Sequence, residues 1–165
     1  MSHIREEFIE ILEKRGYPYS LQGNKIIITG SKDFTIGIDG IPPGVVFNNS
    51  GVVDIPIDHV SDDVEFNNGG YVNLSYVISI GKNVKFKNNG NVFLGKHLNR
   101  INSSVEFNNS GAIYTFIISG MKLGDILDDF SYDIQVDDWQ GNIEGVDSTR
   151  LMNLMISKGL FDSYA

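Results

Sequence analysis

The sequence predicts a mainly β fold: a short β-solenoid of four to five coils of about 20 residues, with an N-terminal helix cap and a C-terminal α-containing cap. Three observations carry this expectation. One phrase of eleven residues recurs four times, as VVFNNSGVVDI, VEFNNGGYVNL, VKFKNNGNVFL and VEFNNSGAIYT. Its apolar positions alternate with period two, as strands with one buried face do. The interval between phrases is 19, 20 and then 21 residues, and self-similarity at such a period marks units that bury their apolar sides on one another.

Aligned on Phe47, Phe66, Phe86 and Phe107, the phrases define fixed columns. Val45, Val64, Val84 and Val105 stand two residues before the ring, and Asn49, Asn68, Asn88 and Asn109 two after it. Gly51, Gly70, Gly90 and Gly111 follow, then Val53, Val72, Val92 and Ile113, then Ile55, Leu74, Leu94 and Thr115. Each phrase therefore reads as two short strands joined by a bend at N-x-G, with glycine expected there for a positive φ. Stacking the coils places Phe on Phe and Asn on Asn at the strand spacing of about 4.8 Å. An Asn column facing inward is expected to act as a structural ladder of side-chain amide hydrogen bonds. An isolated buried amide would instead cost about 1–3 kcal/mol.

A weaker coil precedes the four, in NKIIITGSKDFTIGID. Nineteen residues before Phe47 lies Ile28, and Phe34 and Ile36 fall on the later apolar columns. The segments GIPPG, VSDD, IGKN and INSS precede the valines and read as a third corner, with Ile41, Val60, Ile80 and Ile101 as a third inward column. An open coil exposes strand edges, so both ends need covers. Residues 1–22 supply an amphipathic helix with Ile4, Phe8, Ile11 and Leu12 on one face, capped by Ser2 and stopped by Gly16 and Pro18. Residues 23–119 hold the repeats, and residues 120–165 an acidic segment with a terminal helix around Leu151, Leu154, Met155 and Ile156.

The chain has no cysteine, which removes disulfides and thiolate chemistry and agrees with a reducing compartment. Nothing approaches an apolar run long enough to span a bilayer, and the acidic start is unlike a secretory signal, so neither a membrane nor export is expected. With a net charge of −8, direct binding to nucleic acid is not expected, because phosphate binding needs clustered Lys and Arg.

The repeat F-N-N-x-G-x-V-x-L resembles repeats in bacterial and bacteriophage proteins of short β-solenoid character, and the closing run IEGVDSTRLMNLMISKGLF is similar to segments seen beside small phage-encoded proteins. The resemblance implies a phage-encoded protein acting in the cytoplasm of a bacterial host. It carries no catalytic residue.

No nucleotide-binding loop, nucleophile elbow or metal-ligand spacing occurs, and His3, His59 and His97 stand apart. No cofactor or metal is therefore expected. The remaining signal is charge. Between Met121 and Asp147 stand eight acids and one base, Lys122, so this segment holds seven of the eight net negative charges. Such a run is often a solvated face. Here Tyr132 and Trp139 lie within it, and aromatics are enriched at interface centres. Asp128, Asp129, Asp133, Asp137, Asp138 and Trp139 are thus the expected contacts for a protein partner with a basic surface. The leading expectation is a non-enzymatic interaction protein that modulates or inhibits a host defence or nucleic-acid-processing protein. The alternatives are an oligomerising or virion-associated module, docking through outward Val46, Val52, Tyr71, Tyr76, Phe93, Tyr114 and Phe116, and a carbohydrate-active β-helix enzyme using outward Asp54, Glu65 and Glu106.

Overall fold

The computed structural model describes residues 2–110, apart from 36, 37, 39, 95–97, 99 and 103, together with residues 113–114. Its first element is the helix α1 (Ser2–Arg15), followed by a hairpin of β1 (Tyr19–Gln22) and β2 (Lys25–Ile28). The repeats then give β3 (Val45–Phe47), β4 (Val53–Asp54) and β5 (His59–Val60); β6 (Glu65–Phe66), β7 (Val72–Leu74) and β8 (Ser79–Ile80); β9 (Lys85–Phe86), β10 (Val92–Leu94) and β11 (Arg100–Ile101); and β12 (Glu106–Phe107) and β13 (Ile113–Tyr114).

The strands stack into three sheets, one per wall. The first runs β1-β2-β3-β6-β9-β12, the second β4-β7-β10-β13 and the third β5-β8-β11. Every pairing is parallel except β1 with β2. This is a β-solenoid of about four turns, as expected. The register is that of the sequence columns: Ile28 pairs with Phe47, Phe47 with Phe66, Phe66 with Phe86 and Phe86 with Phe107. All four rings are 0% exposed. They stack at 5.2, 4.9 and 4.6 Å between centroids, within 10° of parallel. In-register strands favour this near-parallel arrangement, because pairing sets each Phe directly above the last at the strand spacing.

The valine column and the third-wall residues Val60, Ile80 and Ile101 are likewise buried. The weak first coil is real: Phe34 forms a parallel bridge with Val53 and is fully buried. It also solves a vacancy. Ile28 brings no ring to the aromatic column, and Phe34 turns edge-on to Phe47 at 5.2 Å to close it. Phe8 and Tyr17 then cover Phe34 at 6.1 and 4.8 Å.

The glycines of N-x-G do not serve the purpose expected of them. Positive φ is found at Gly16, Gly23, Gly30 and Gly44, and at Asp63 and Asn83, but not at Gly51, Gly70 or Gly90. Their requirement is space. A Cβ on Gly70 would lie 2.5 Å from the Gly51 carbonyl oxygen, and one on Gly90 2.2 Å from that of Gly70. The left-handed corner is instead the one before Val45, Val64 and Val84, where Gly44, Asp63 and Asn83 stack with φ of 81°, 61° and 59°.

The drift in period has a single location. From Phe to the second wall takes six residues in every coil (Phe47 to Val53, Phe66 to Val72, Phe86 to Val92), and so does the step from the third wall back to the first. From the second wall to the third takes six residues at Val53–His59, seven at Val72–Ser79 and eight at Val92–Arg100. One corner absorbs the whole drift, and Ile57, Val77 and Leu98 plug it from inside.

The N-terminal cover differs from the expectation in part. In α1, Phe8 and Leu12 are buried, but Ile4, one turn before Phe8, remains 47% exposed. The helix ends as expected at Gly16, with Gly16 N–H donating to Glu13 O and Tyr17 N–H to Leu12 O, the reciprocal pair of a glycine C-cap. The Lys32 ammonium donates to the Arg15 carbonyl and sits 4.6 Å over the Tyr17 ring. Residues 19–22 are a strand rather than part of a helical cap. The turn Gly23-Asn24, with Gly23 at φ 61°, is the tight hairpin that makes it.

Candidate functional site

The acidic segment with Asp128, Asp129, Asp133, Asp137, Asp138 and Trp139, the terminal helix, Phe116 and the side chain of Tyr114 lie outside the described residues. The ladder residues lie within it. Each Asn sits in the bend between first and second walls. The amide nitrogen of Asn68 donates to Gly70 O in its own coil (2.9 Å) and to Gly51 O in the preceding one (3.2 Å). Asn49 does the same with Gly51 O and Lys32 O, and Asn109 reaches Gly90 O at 3.1 Å. In return Asn88 Oδ1 accepts the Asn68 N–H (3.0 Å) and Asn109 Oδ1 the Asn88 N–H (2.9 Å). The ladder therefore runs mainly from amide to backbone, since the carbonyls bared by the missing glycine Cβ are the nearest acceptors. Asn88 to Asn109 alone, among the described residues, adds a side-chain pair, at 3.1 Å. Asn49 Oδ1 and Asn68 Oδ1 are buried without a donor. The amide nitrogens are committed to backbone carbonyls, and the two undonated oxygens are closed off from solvent by burial.

Outside the core, two clefts flank α1. One, of about 570 Å³, lies between Arg5, the β1–β2 turn at Asn24 and Lys25, the Pro42–Gly44 corner, and Glu65 and Lys85 on the first wall. The other, of about 690 Å³, separates α1 from the third wall and is lined by Ile4, Glu7, Ile11, Ile41, Asp58 and His59 among others. There the in-register pairing of His59 with Ser79 brings Nδ1 and Oγ to 2.7 Å. On the hairpin, the Tyr19 hydroxyl donates to Glu13 Oε1 at 2.6 Å, and that bond and the Glu13 charge raise its pKa above 10.0.

The outward carboxylates fall on different walls. Asp54 is on the second, accepting from Asn73 Nδ2 at 3.1 Å. Glu65 and Glu106 share a first-wall column with Lys85 between them, an alternation that suits parallel strands. Among the described residues no three His, Asp or Glu side chains are placed to hold a metal ion, and no helix is long and apolar enough to cross a membrane.

Of the outward apolar residues, Tyr71 and Tyr76 are exposed, and Tyr71 packs edge-on against Phe93 at 5.6 Å. Val46 is not available: flanked along its sheet by Ile27 and Glu65, it is 6% exposed. The sequence reading missed Ile78, also exposed, and missed the lengthening corner that carries Tyr76 and Ile78 outward. The changing repeat interval was the signal for it. No protein-family model, curated protein or solved structure matches the chain.

Proposed function

We propose that this chain is a non-catalytic interaction protein, encoded by a bacteriophage, that binds and modulates or inhibits a bacterial host protein of defence or nucleic-acid processing. One observation carries the reading: seven of eight net negative charges are concentrated in residues 121–147, beside a repeat scaffold that is close to neutral. A local field of this size raises the association rate with a basic surface and suppresses wrong partners. Asp128, Asp129, Asp133, Asp137 and Asp138 provide the field and Trp139 the anchor. The scaffold supports the reading because its inward side chains are committed to the aromatic column and its Asn residues to the corners. The enzymatic alternative draws less support. Lys85 stands between Glu65 and Glu106, and Asp54 is on another wall.

The test is capture from bacterial lysate with the wild-type chain and with a variant carrying Asn at the five Asp positions. A partner held by the wild type, lost by the variant and released by moderate salt supports the proposal. A captured protein bound equally by both, with a flat salt response, overturns the assignment of the acidic segment.

A further inference from the structure

The corner between the second and third walls has a charge pattern that matches itself when turned by half a revolution. Its first coil carries Asp54, half-buried, and Asp58, exposed. Its second coil carries no charge, only Tyr76 at 64% and Ile78 at 43% exposure. Its third coil presents exposed Arg100 at the start of β11. Negative, apolar and positive thus follow one another along the solenoid axis, one coil apart. Asp58 immediately precedes the strand position of His59, and Arg100 occupies that same column two coils on. A twofold axis through the second coil, beside Ile78, exchanges the two levels. It sets Asp58 of one copy against Arg100 of the other, twice, with apolar surface between.

We infer that this corner is an isologous interface through which two copies of the chain dimerise. A twofold contact requires a patch complementary to itself, which this pattern satisfies. An apolar, aromatic centre with charged flanks is the anatomy of a specific interface. The corner is also where the repeats vary in length, and in repeat proteins such insertions gather on the binding face. An antiparallel pairing explains why, among the described residues, the second coil alone presents two large exposed apolar side chains here: it is the level on the axis. The inference is independent of the acidic segment.

The experiment is sedimentation of the full chain over a concentration series, with three sets of variants. The wild type is expected to pass from monomer to dimer. Asp58→Arg and Arg100→Asp are each expected to weaken the dimer about tenfold or more, and the double variant to restore it. Tyr76→Ala is expected to weaken it by a similar factor. Because the chain has no cysteine, Ile78→Cys places a single thiol beside the axis, and mild oxidation is expected to give a covalent dimer. Lys87→Cys on the first wall is expected not to. A monomer at every concentration overturns the inference. So does a dimer that is indifferent to the charge reversals and cross-links no better through Ile78→Cys than through Lys87→Cys. Circular dichroism of each variant separates loss of pairing from loss of fold.

Discussion

Replacing Phe66 by alanine tests the column on which the fold depends. The ring is fully buried and stacked on both sides, 5.2 Å from Phe47 and 4.9 Å from Phe86. Truncating a buried Phe costs about 3–5 kcal/mol, the higher values arising where the surroundings cannot close on the cavity. Here they cannot. Backbone rungs hold the coils apart at strand spacing, with Asn67 N–H donating to Phe47 O and Lys87 N–H to Phe66 O, both at 2.8 Å. Two ring contacts, each worth about 0.5–1.5 kcal/mol beyond area burial, disappear together. The loss is therefore expected at about 5 kcal/mol. With an m-value of about 2 kcal/mol/M in urea, the midpoint of unfolding falls by roughly 2.5 M. Urea titration followed by far-UV circular dichroism measures it, with Lys87→Ala, at an exposed first-wall position away from the corner, as a control expected to lie within about 0.5 kcal/mol of wild type. A loss below about 1.5 kcal/mol for Phe66→Ala refutes the argument, since a packed column cannot give up a central ring so cheaply.

Three further outcomes are expected. Gly70→Ala forces a Cβ to 2.5 Å from the Gly51 carbonyl oxygen, whereas Gly69→Ala meets nothing nearer than 3.6 Å; thermal melts should show the first strongly destabilised and the second close to wild type. Asn68→Ala removes the amide donor to the Gly70 carbonyl and leaves that of Gly51 only the longer bond from Asn49, and should cost about 1–3 kcal/mol, nearer the lower figure because its own Oδ1 lacks a donor; a change below about 0.5 kcal/mol in urea titration speaks against the ladder. The Tyr19 phenol is held protonated by Glu13, so its contribution is intact below about pH 10, the unfolded value, and is lost as pH rises through the higher folded one. Ultraviolet titration should show a late-ionising component that is lost in Tyr19→Phe and moved earlier in Glu13→Gln.

The parts of this fold legible in the sequence are those fixed by period. Phe, Val and Asn recur at set offsets, parallel stacking preserves offsets, and so columns of letters became columns of side chains. Phe34 was readable for the same reason. What escaped was set by contacts between coils rather than by order along one. Gly70 looks like a left-handed corner until the Gly51 carbonyl is seen beneath it. The strand at Tyr19–Gln22 lacks alternation and exists because β2 offers it an edge, although Gly23-Asn24 marked the turn. Val46 alternates outward, yet its in-register neighbours shield it. The candidate docking corner was hidden because no single repeat contains it: Asp58, Ile78 and Arg100 are 20 and 22 residues apart and meet only through stacking.

The lengthening corner bears on how such a chain can grow. Two of its three corners are gauges: a residue added there would turn every later side chain to the wrong face of its strand. The third is a slack joint, where the chain already carries one more residue at each turn and still delivers His59, Ser79 and Arg100 to the same column. Copying errors that shorten or extend a duplicated unit are survivable at that joint and ruinous at the others. A lineage of such solenoids can therefore lengthen by duplication while rewriting one edge freely, keeping a conserved interior beneath an exterior that changes from turn to turn.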